Sequence, residues 1–463
     1  IGWCDWSSDV CSSDLTKLPG ALQQRWSVRI GGRLTQPVVA HGLTVVSAID
    51  AHTIHALDAA NGQPRWTFTA GGRVDSPPVL HAGMVYFGSA DGYVYALRGM
   101  DGKLAWRFRA APADHRTVAY EQVESVWPVH GAVLMQNGFL YASAGRSTYL
   151  DGGIVLYALD PKTGKQLHRH VVSYIDPQSD KQTAREGKGF GAFDMEGTAS
   201  DVLSGDGESV FIKHLRFDAH CQPVKEAKPH LFAVTGFLGE EWFVRSYWTI
   251  AETTGAGWGS WTVPTARTWF GRIMSFDDQR VCGYGRVRIL SGPTGHKADA
   301  YHLYAARRAT VPPQEPPAPA AKSESSAASD APKAKGKKAK RAAKGDDQAK
   351  PKDPPKQYEW ADTNSLIVRA MVLAGDKLVV AGPKDLGQKT EDILAFKNEE
   401  EALAAFEGRR GVLLRVISAA DGKQVFEAPL PALPVFDGLS AANGKLFMSL
   451  QDGSVQCWAD GRD

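Results

Sequence analysis

Cysteine is scarce. The chain has five in 463 residues, with no C-x-x-C and no adjacent pair. This excludes zinc-ribbon, thioredoxin-type and haem-attachment sites and argues against a disulfide framework. Long hydrophobic runs are also missing. No uninterrupted apolar stretch reaches about 18 residues, so no transmembrane helix is expected. The net charge is only +2, which argues against a nucleic-acid partner. G-x-S-x-G, P-loop and H-E-x-x-H motifs do not occur. His52-x-x-His55 has a spacing that points to opposite faces of a strand, and His168-x-His170 has no third ligand nearby, so no metal is expected.

What is present is ordinary globular material: 43% hydrophobic and 22% charged residues, enough for a large core. Charge is unevenly spread. Residues 314–357 carry 11 Lys/Arg against 6 Asp/Glu, so the remainder of the chain is slightly acidic. Residues 1–15 have neither helix nor strand periodicity. Asp5–Leu15 reads DWSSDVCSSDL, which resembles a translated sequencing adapter. We therefore set residues 1–15 apart as non-native and expect the natural N-terminus, with any signal peptide, to be missing. Three cysteines then remain, at 221, 282 and 457.

An internal repeat dominates the rest. Trp26, Trp66 and Trp106 are spaced 40 residues apart. Between them TQPVVAHGLTVVSAIDAHTIHALDAANGQPRW is followed by DSPPVLHAGMVYFGSADGYVYALRGMDGKLAW. Each copy has β-branched and aromatic runs separated by Gly and Asp-Gly turns, which reads as short antiparallel strands. About four strands per 40 residues is the pattern of a propeller blade. Weaker copies follow, with His168 and Phe426 at the tryptophan position. The final copy, NGKLFMSLQDGSVQCW, supplies three strands. Leu22–Ile30 supplies one, so the two ends are expected to complete a single blade and close the ring. This gives an all-β propeller of about seven blades, seven or eight, spanning residues 16–463.

Departures from the repeat mark insertions. Residues 111–126 lengthen the loop into the third blade. Residues 217–267 are dense in aromatics and glycine and read as an ordered insertion. Trp242, Tyr247, Trp248, Trp258 and Trp261 there are either blade core or a ligand platform. Residues 311–357, rich in Pro, Ala and Lys, read as a disordered loop. Residues 388–408 read as a helical insertion ended by Gly408.

The segments ALDAANGQPRW, GSADGYVYALRGMDGKLAW and YALDPKTGK resemble the quinoprotein-type (PQQ-like) propeller repeat. The resemblance is strong in the two N-terminal blades and weak in the middle ones. It implies that Trp26, Trp66 and Trp106 dock on neighbouring blades as structural residues. Relatives of this kind include quinoprotein alcohol dehydrogenases and an outer-membrane-protein assembly lipoprotein, which implies a periplasmic or secreted location. The dehydrogenases use PQQ with Ca²⁺ and often an adjacent Cys-Cys, which this chain lacks, so no cofactor is expected.

Candidate binding residues gather where the repeat is enlarged. Arg116, Glu121, Glu124, Trp127 and His130 lie in or just after the first inserted loop. Arg146, Tyr149 and Asp151 stand where other blades have a short Asp-Gly turn. Arginine can clamp an anion and aromatics can stack on sugar or peptide. The structural alternative is an Arg146–Asp151 ion pair with Trp127 in the core. Paired-carboxylate hydrolysis would draw on Glu121, Glu124 and Asp194. The expected role is a monomeric, non-catalytic binding or scaffolding protein with a protein or glycan ligand. The alternative is a quinone-dependent oxidoreductase or a carbohydrate-active enzyme using the propeller mouth.

Overall fold

The computed structural model describes residues 17–175, 178–179, 202–213, 215–233, 248–251, 255–257, 261–263, 269–286, 301–308, 358–362, 366–385 and 397–461. Among them are eight antiparallel sheets arranged as propeller blades, and two further two-stranded hairpins.

The second blade shows how the sequence makes the unit. Val79–His81, Met84–Gly88, Tyr93–Arg98 and Leu104–Arg109 pair in chain order. His81 meets Met84 across a turn in which Ala82 and Gly83 both have positive φ. That two-residue geometry matches the twist of the flanking strands. Val85, Phe87, Val94 and Ala96 are buried. Trp106 stands opposite Ala96, and a register shift follows between Ala96 and Leu97. The same shift recurs at Ala56/Leu57, Ala158/Leu159 and Val416/Ile417. Each copy thus bends at the same point, just past the tryptophan position, where a bulge increases local twist.

Blade 1 comprises Val38–Ala40, Leu43–Ala48, Thr53–Asp58 and Pro64–Thr69, and blade 3 comprises Leu134–Gln136, Phe139–Ala144, Ile154–Leu159 and Gln166–Val172. Blade 4 is shorter, with Leu203–Gly205, Val210–Ile212, Leu215–Phe217 and Pro223–Val224. Blades 6 and 7 follow with four strands each. In blade 8, Leu22–Arg29 pairs with Ser454–Asp460, from Leu22 opposite Asp460 to Arg29 opposite Ser454. The first and last strands therefore share one sheet, which removes an open edge from the ring. Sheets bury both faces against neighbours. Tyr86, Val94 and Ala96 of blade 2, for example, cluster with Met135, Leu140 and Ala142 of blade 3.

The blade count corrects in part the expectation of an inserted segment at 217–267, of which the hairpin Gly255–Gly257 with Trp261–Val263 does stand outside the blade sheets. Its described residues belong largely to the ring. Leu215–Phe217 and Pro223–Val224 finish blade 4. His230–Ala233, Trp248–Ala251 and Trp269–Gly271 form blade 5, which has three strands among the described residues. These strands are two to four residues long. Runs that short give alternation too little length to register in sequence. A helix occupies Glu399–Phe406, capped by the Asn398 side chain on Glu401 N at 3.0 Å. Three glutamates in its first turn favour the positive end of the helix dipole. Residues 1–15, 311–357 and 386–396, with the loop and adapter readings made for them, lie outside the described residues.

Candidate binding surface at one end of the propeller

The three tryptophans each sit on the glycine turn of the following blade. Trp66 Nε1 donates to Gly99 O at 2.7 Å, and its ring lies where a Cβ on Gly102 would fall, 2.5 Å away. Trp106 does the same to Pro161 O at 2.9 Å over Gly164. Trp26 donates to Ala59 O at 3.3 Å and covers Gly62. Trp360, in the outer strand Trp360–Asp362 of blade 6, repeats the arrangement with Ala419 O at 2.8 Å over Gly422. These glycines have positive φ and no room for a side chain, so both features of glycine are used.

At the opposite end of the blades, the inter-blade connections gather. The connection out of blade 1 meets the turn of blade 2 through Ala90 N to Arg73 O, 2.8 Å. The connection out of blade 2 crosses the same turn through Ser125 N to Ala90 O, 2.8 Å, and Val129 N to Ser89 O, 3.1 Å. Within that second connection the insertion forms a hairpin, Arg116–Ala119 with Gln122–Ser125. It reaches back over blade 1, where Gln122 Oε1 meets His52 Nε2 at 2.6 Å. The structure puts His52 in a turn with φ +58, outside the strand that holds His55.

A buried ion network holds these connections together. Glu124 is 2% exposed. Its Oε2 accepts from Arg73 Nη2 at 3.0 Å and its Oε1 from Arg146. Arg73, also buried, pairs with Asp75 at 3.1 Å, and Asp75 bonds His130 Nδ1. Two guanidinium groups thus face two carboxylates, which is how buried charges become tolerable. Five groups, from two inter-blade connections and from the turn between Phe139–Ala144 and Ile154–Leu159 of blade 3, are locked into one cluster.

Glu124, His130 and Arg146 are brought together in an internal ion network, through Arg73 and Asp75, which the sequence reading did not name. The Arg146–Asp151 ion pair does not form among the described residues, because Arg146 is engaged with Glu124. Asp151 instead accepts at its backbone carbonyl from Trp127 Nε1, 2.7 Å, and Trp127 is buried. Tyr149 packs on Tyr174 with ring centroids 5.4 Å apart. Arg116 is exposed and pairs with Asp114 at 3.2 Å. Glu121 lies at the hairpin tip. Among the aromatic candidates, Trp248 is buried in blade 5 with Trp269. Trp242, Tyr247 and Trp258, the side chain of Trp261, and Asp194 lie outside the described residues. Arg73 did have a sequence signal. The connections Arg33-Leu-Thr-Gln-Pro and Arg73-Val-Asp-Ser-Pro are copies of one another, and Asp75 is the position that changes.

The hairpin itself is strained and apolar. Tyr120 and Glu121 form its two-residue turn with φ +51° and +62°. That turn type favours Asn-Gly, and a bulky residue at positive φ is costly. The Arg73 guanidinium lies 4.1 Å from the Tyr120 ring centroid. Val118 and Val123 are a directly opposed cross-strand pair, 72% and 57% exposed, and Tyr120 is 70% exposed.

Residues 20–188, covering blades 1 to 3 and the closing strand of blade 8, match the family model of the outer membrane protein assembly factor BamB. No curated protein matches the sequence. Among solved structures, a quinohemoprotein alcohol dehydrogenase from Pseudomonas putida HK5 is 14% identical with a TM-score of 0.54, covering 98% of this chain and 78% of that one. The computationally designed Ika8 protein is 11% identical with a TM-score of 0.52, covering 95% and 100%. BamB from Moraxella catarrhalis is 12% identical with a TM-score of 0.49, covering 96% and 98%. At such identities the likeness is one of fold, and a fold does not transmit a reaction.

Proposed function

We propose that this protein is a non-catalytic scaffold that binds a protein partner through the inserted hairpin at residues 116–125. The strained turn carries this reading. Tyr120 and Glu121 hold a costly backbone conformation, and Val118, Tyr120 and Val123 keep apolar surface in water. Strain and exposed apolar groups persist where something other than stability maintains them. Beneath the hairpin, the charged groups that could do chemistry are already spent on one another and give it a rigid seat. Gln122–Ser125 is held to blade 2 through Ser125 N and Ala90 O, whereas Arg116–Ala119, paired only to Gln122–Ser125 among the described residues, offers an edge for an incoming strand.

The quinone alternative fits this end of the molecule poorly. Calcium needs several oxygen ligands bearing net negative charge. Here Asp75 and Glu124 are each held by a guanidinium, and a cation would have to displace it. An extracytoplasmic location is supported by the family described for residues 20–188 and stays part of the proposal.

A photo-crosslinker at position 120, itself exposed, tests the reading, together with Val118→Glu and Val123→Glu. Crosslinking to one discrete protein, lost in both charge variants at unchanged melting temperature, supports it. Stoichiometric binding of PQQ with Ca²⁺ that raises the melting temperature overturns it.

A further inference from the structure

A second surface lies on the circumference, away from the hairpin. Blades 8, 1, 2 and 3 are consecutive in the ring. Their outer strands read LQQRWSVR, PRWTFT, LAWRFR and QLHRHVV. These strands contain arginines at 25, 29, 65, 107, 109 and 169 and no carboxylate. The outer strands of blades 6 and 7 carry Asp362 and Glu427 instead, and Glu427 is paired to Arg415 at 2.6 Å.

The asymmetry is densest on blades 2 and 3. Lys103, Arg107, Arg109, Lys165 and Arg169 are exposed and form no ion pair among the described residues. The nearby turn carboxylates are occupied. Asp101 is paired with Arg98, and Asp160 accepts from Lys162 N at 2.8 Å and from Thr163 Oγ1 at 2.9 Å. Aliphatic side chains lie among the cations: Leu104 is 45% exposed, Leu167 42% and Val171 38%.

Edge strands are commonly guarded by charge against mispairing. Guarding works with either sign, however, and needs no exposed leucine. A single sign across four consecutive edges, on a body otherwise slightly acidic, with aliphatics interleaved, is the composition of a surface that meets anionic headgroups and the acyl boundary together. Arginine stems can also lie along apolar surface while their heads stay wet. We propose that the rim of blades 2 and 3 docks on an anionic phospholipid bilayer, with Arg107, Arg109 and Arg169 contacting phosphates and Leu104 and Leu167 entering the interface. The bilayer is favoured over an acidic polypeptide because the exposed aliphatics add nothing to a purely ionic contact.

The test is co-sedimentation of the full chain with vesicles of phosphatidylcholine alone or with about 30% phosphatidylglycerol. Binding is expected only to the anionic vesicles and is expected to weaken with added salt. Arg107→Glu, Arg109→Glu and Arg169→Glu combined should reduce it by more than about tenfold. The corresponding Lys triple variant should retain it and serves as the folding-neutral control. Leu104→Ser with Leu167→Ser should weaken binding in a way that salt does not reproduce. Equal binding by the Glu triple variant, or binding to poly-glutamate without binding to anionic vesicles, overturns the proposal. Loss of vesicle binding leaves the hairpin crosslink untouched, so the two surfaces fail separately.

Discussion

Two seams of the same ring solve one packing problem differently. Between blades 2 and 3, Trp106 lies over Gly164, a small residue at positive φ. Between blades 3 and 4 the corresponding position is His168, opposite Ala158. Its ring meets His220 edge-on, with centroids 4.6 Å apart. The glycine is gone too, for Cys221 takes the left-handed conformation with φ +61°. When the large indole is lost, the steric reason for a glycine beneath it is lost, although the positive φ is kept. Partner and pocket change together, so the seam survives while its sequence signature does not.

Substitutions can sharpen this contrast. The largest effect is expected from Trp26→Ala, which should cost about 3–5 kcal/mol in urea unfolding, as for a large buried aromatic. His168→Ala, on a half-exposed imidazole, should cost under about 1 kcal/mol. Equal costs at the two positions would erase the distinction between the seams. Gly102→Ala should cost about 2 kcal/mol, because it adds a methyl against Trp66 at an unfavourable φ. Tyr120→Asn with Glu121→Gly should act in the opposite direction, stabilising by about 1 kcal/mol through the preferred turn residues. A fall in melting temperature would show that Tyr120 contributes more through Arg73 than its backbone costs.

The smallest effect concerns pH. His230, between Phe211 and Phe232 in the irregular half, has both ring nitrogens on backbone carbonyls, Lys228 O at 2.8 Å and Lys213 O at 2.6 Å. Burial lowers its pKa below 6.5, against the pull of those carbonyls. The unfolded chain therefore takes up the proton first as pH falls. The stability is complete above about 6.5 and is lost as pH drops through the depressed native value. Urea midpoints at about pH 5 should lie below those at about pH 7, and His230→Phe should flatten the slope. Asp206 and Lys228, which pair with each other at 2.6 Å, and Arg216 are the charged neighbours to hold constant.

The same contrast explains what the sequence made legible. Blades 1, 2, 3 and 8 announced themselves because alternation, turn glycines and docked aromatics agree over about 40 residues. Blade 5 did not, because strands of three or four residues carry no period and its aromatics read equally well as insertion. At the candidate surface, Glu124, His130 and Arg146 were visible as polar residues in enlarged loops. Arg73 and Asp75 were hidden in a connection of ordinary length, where only three-dimensional convergence gives them meaning. The apolar hairpin face was invisible for a related reason, since which side of a two-stranded ribbon meets water depends on its seat.

The pairing of Leu22–Arg29 with Ser454–Asp460 also has a temporal meaning. Leu22–Arg29 is made well before its partner strand and waits for it across more than 400 residues of chain, as the Arg25 to Asp460 contact illustrates. Contacts that distant in sequence form slowly. Until Ser454–Asp460 has been made, blade 8 is incomplete, and a half-made ring carries an open edge ready to pair with another chain. The closing strand thus acts as a completion check: a chain stopped short of Ser454 cannot latch, and stays exposed to whatever recognises unfinished proteins.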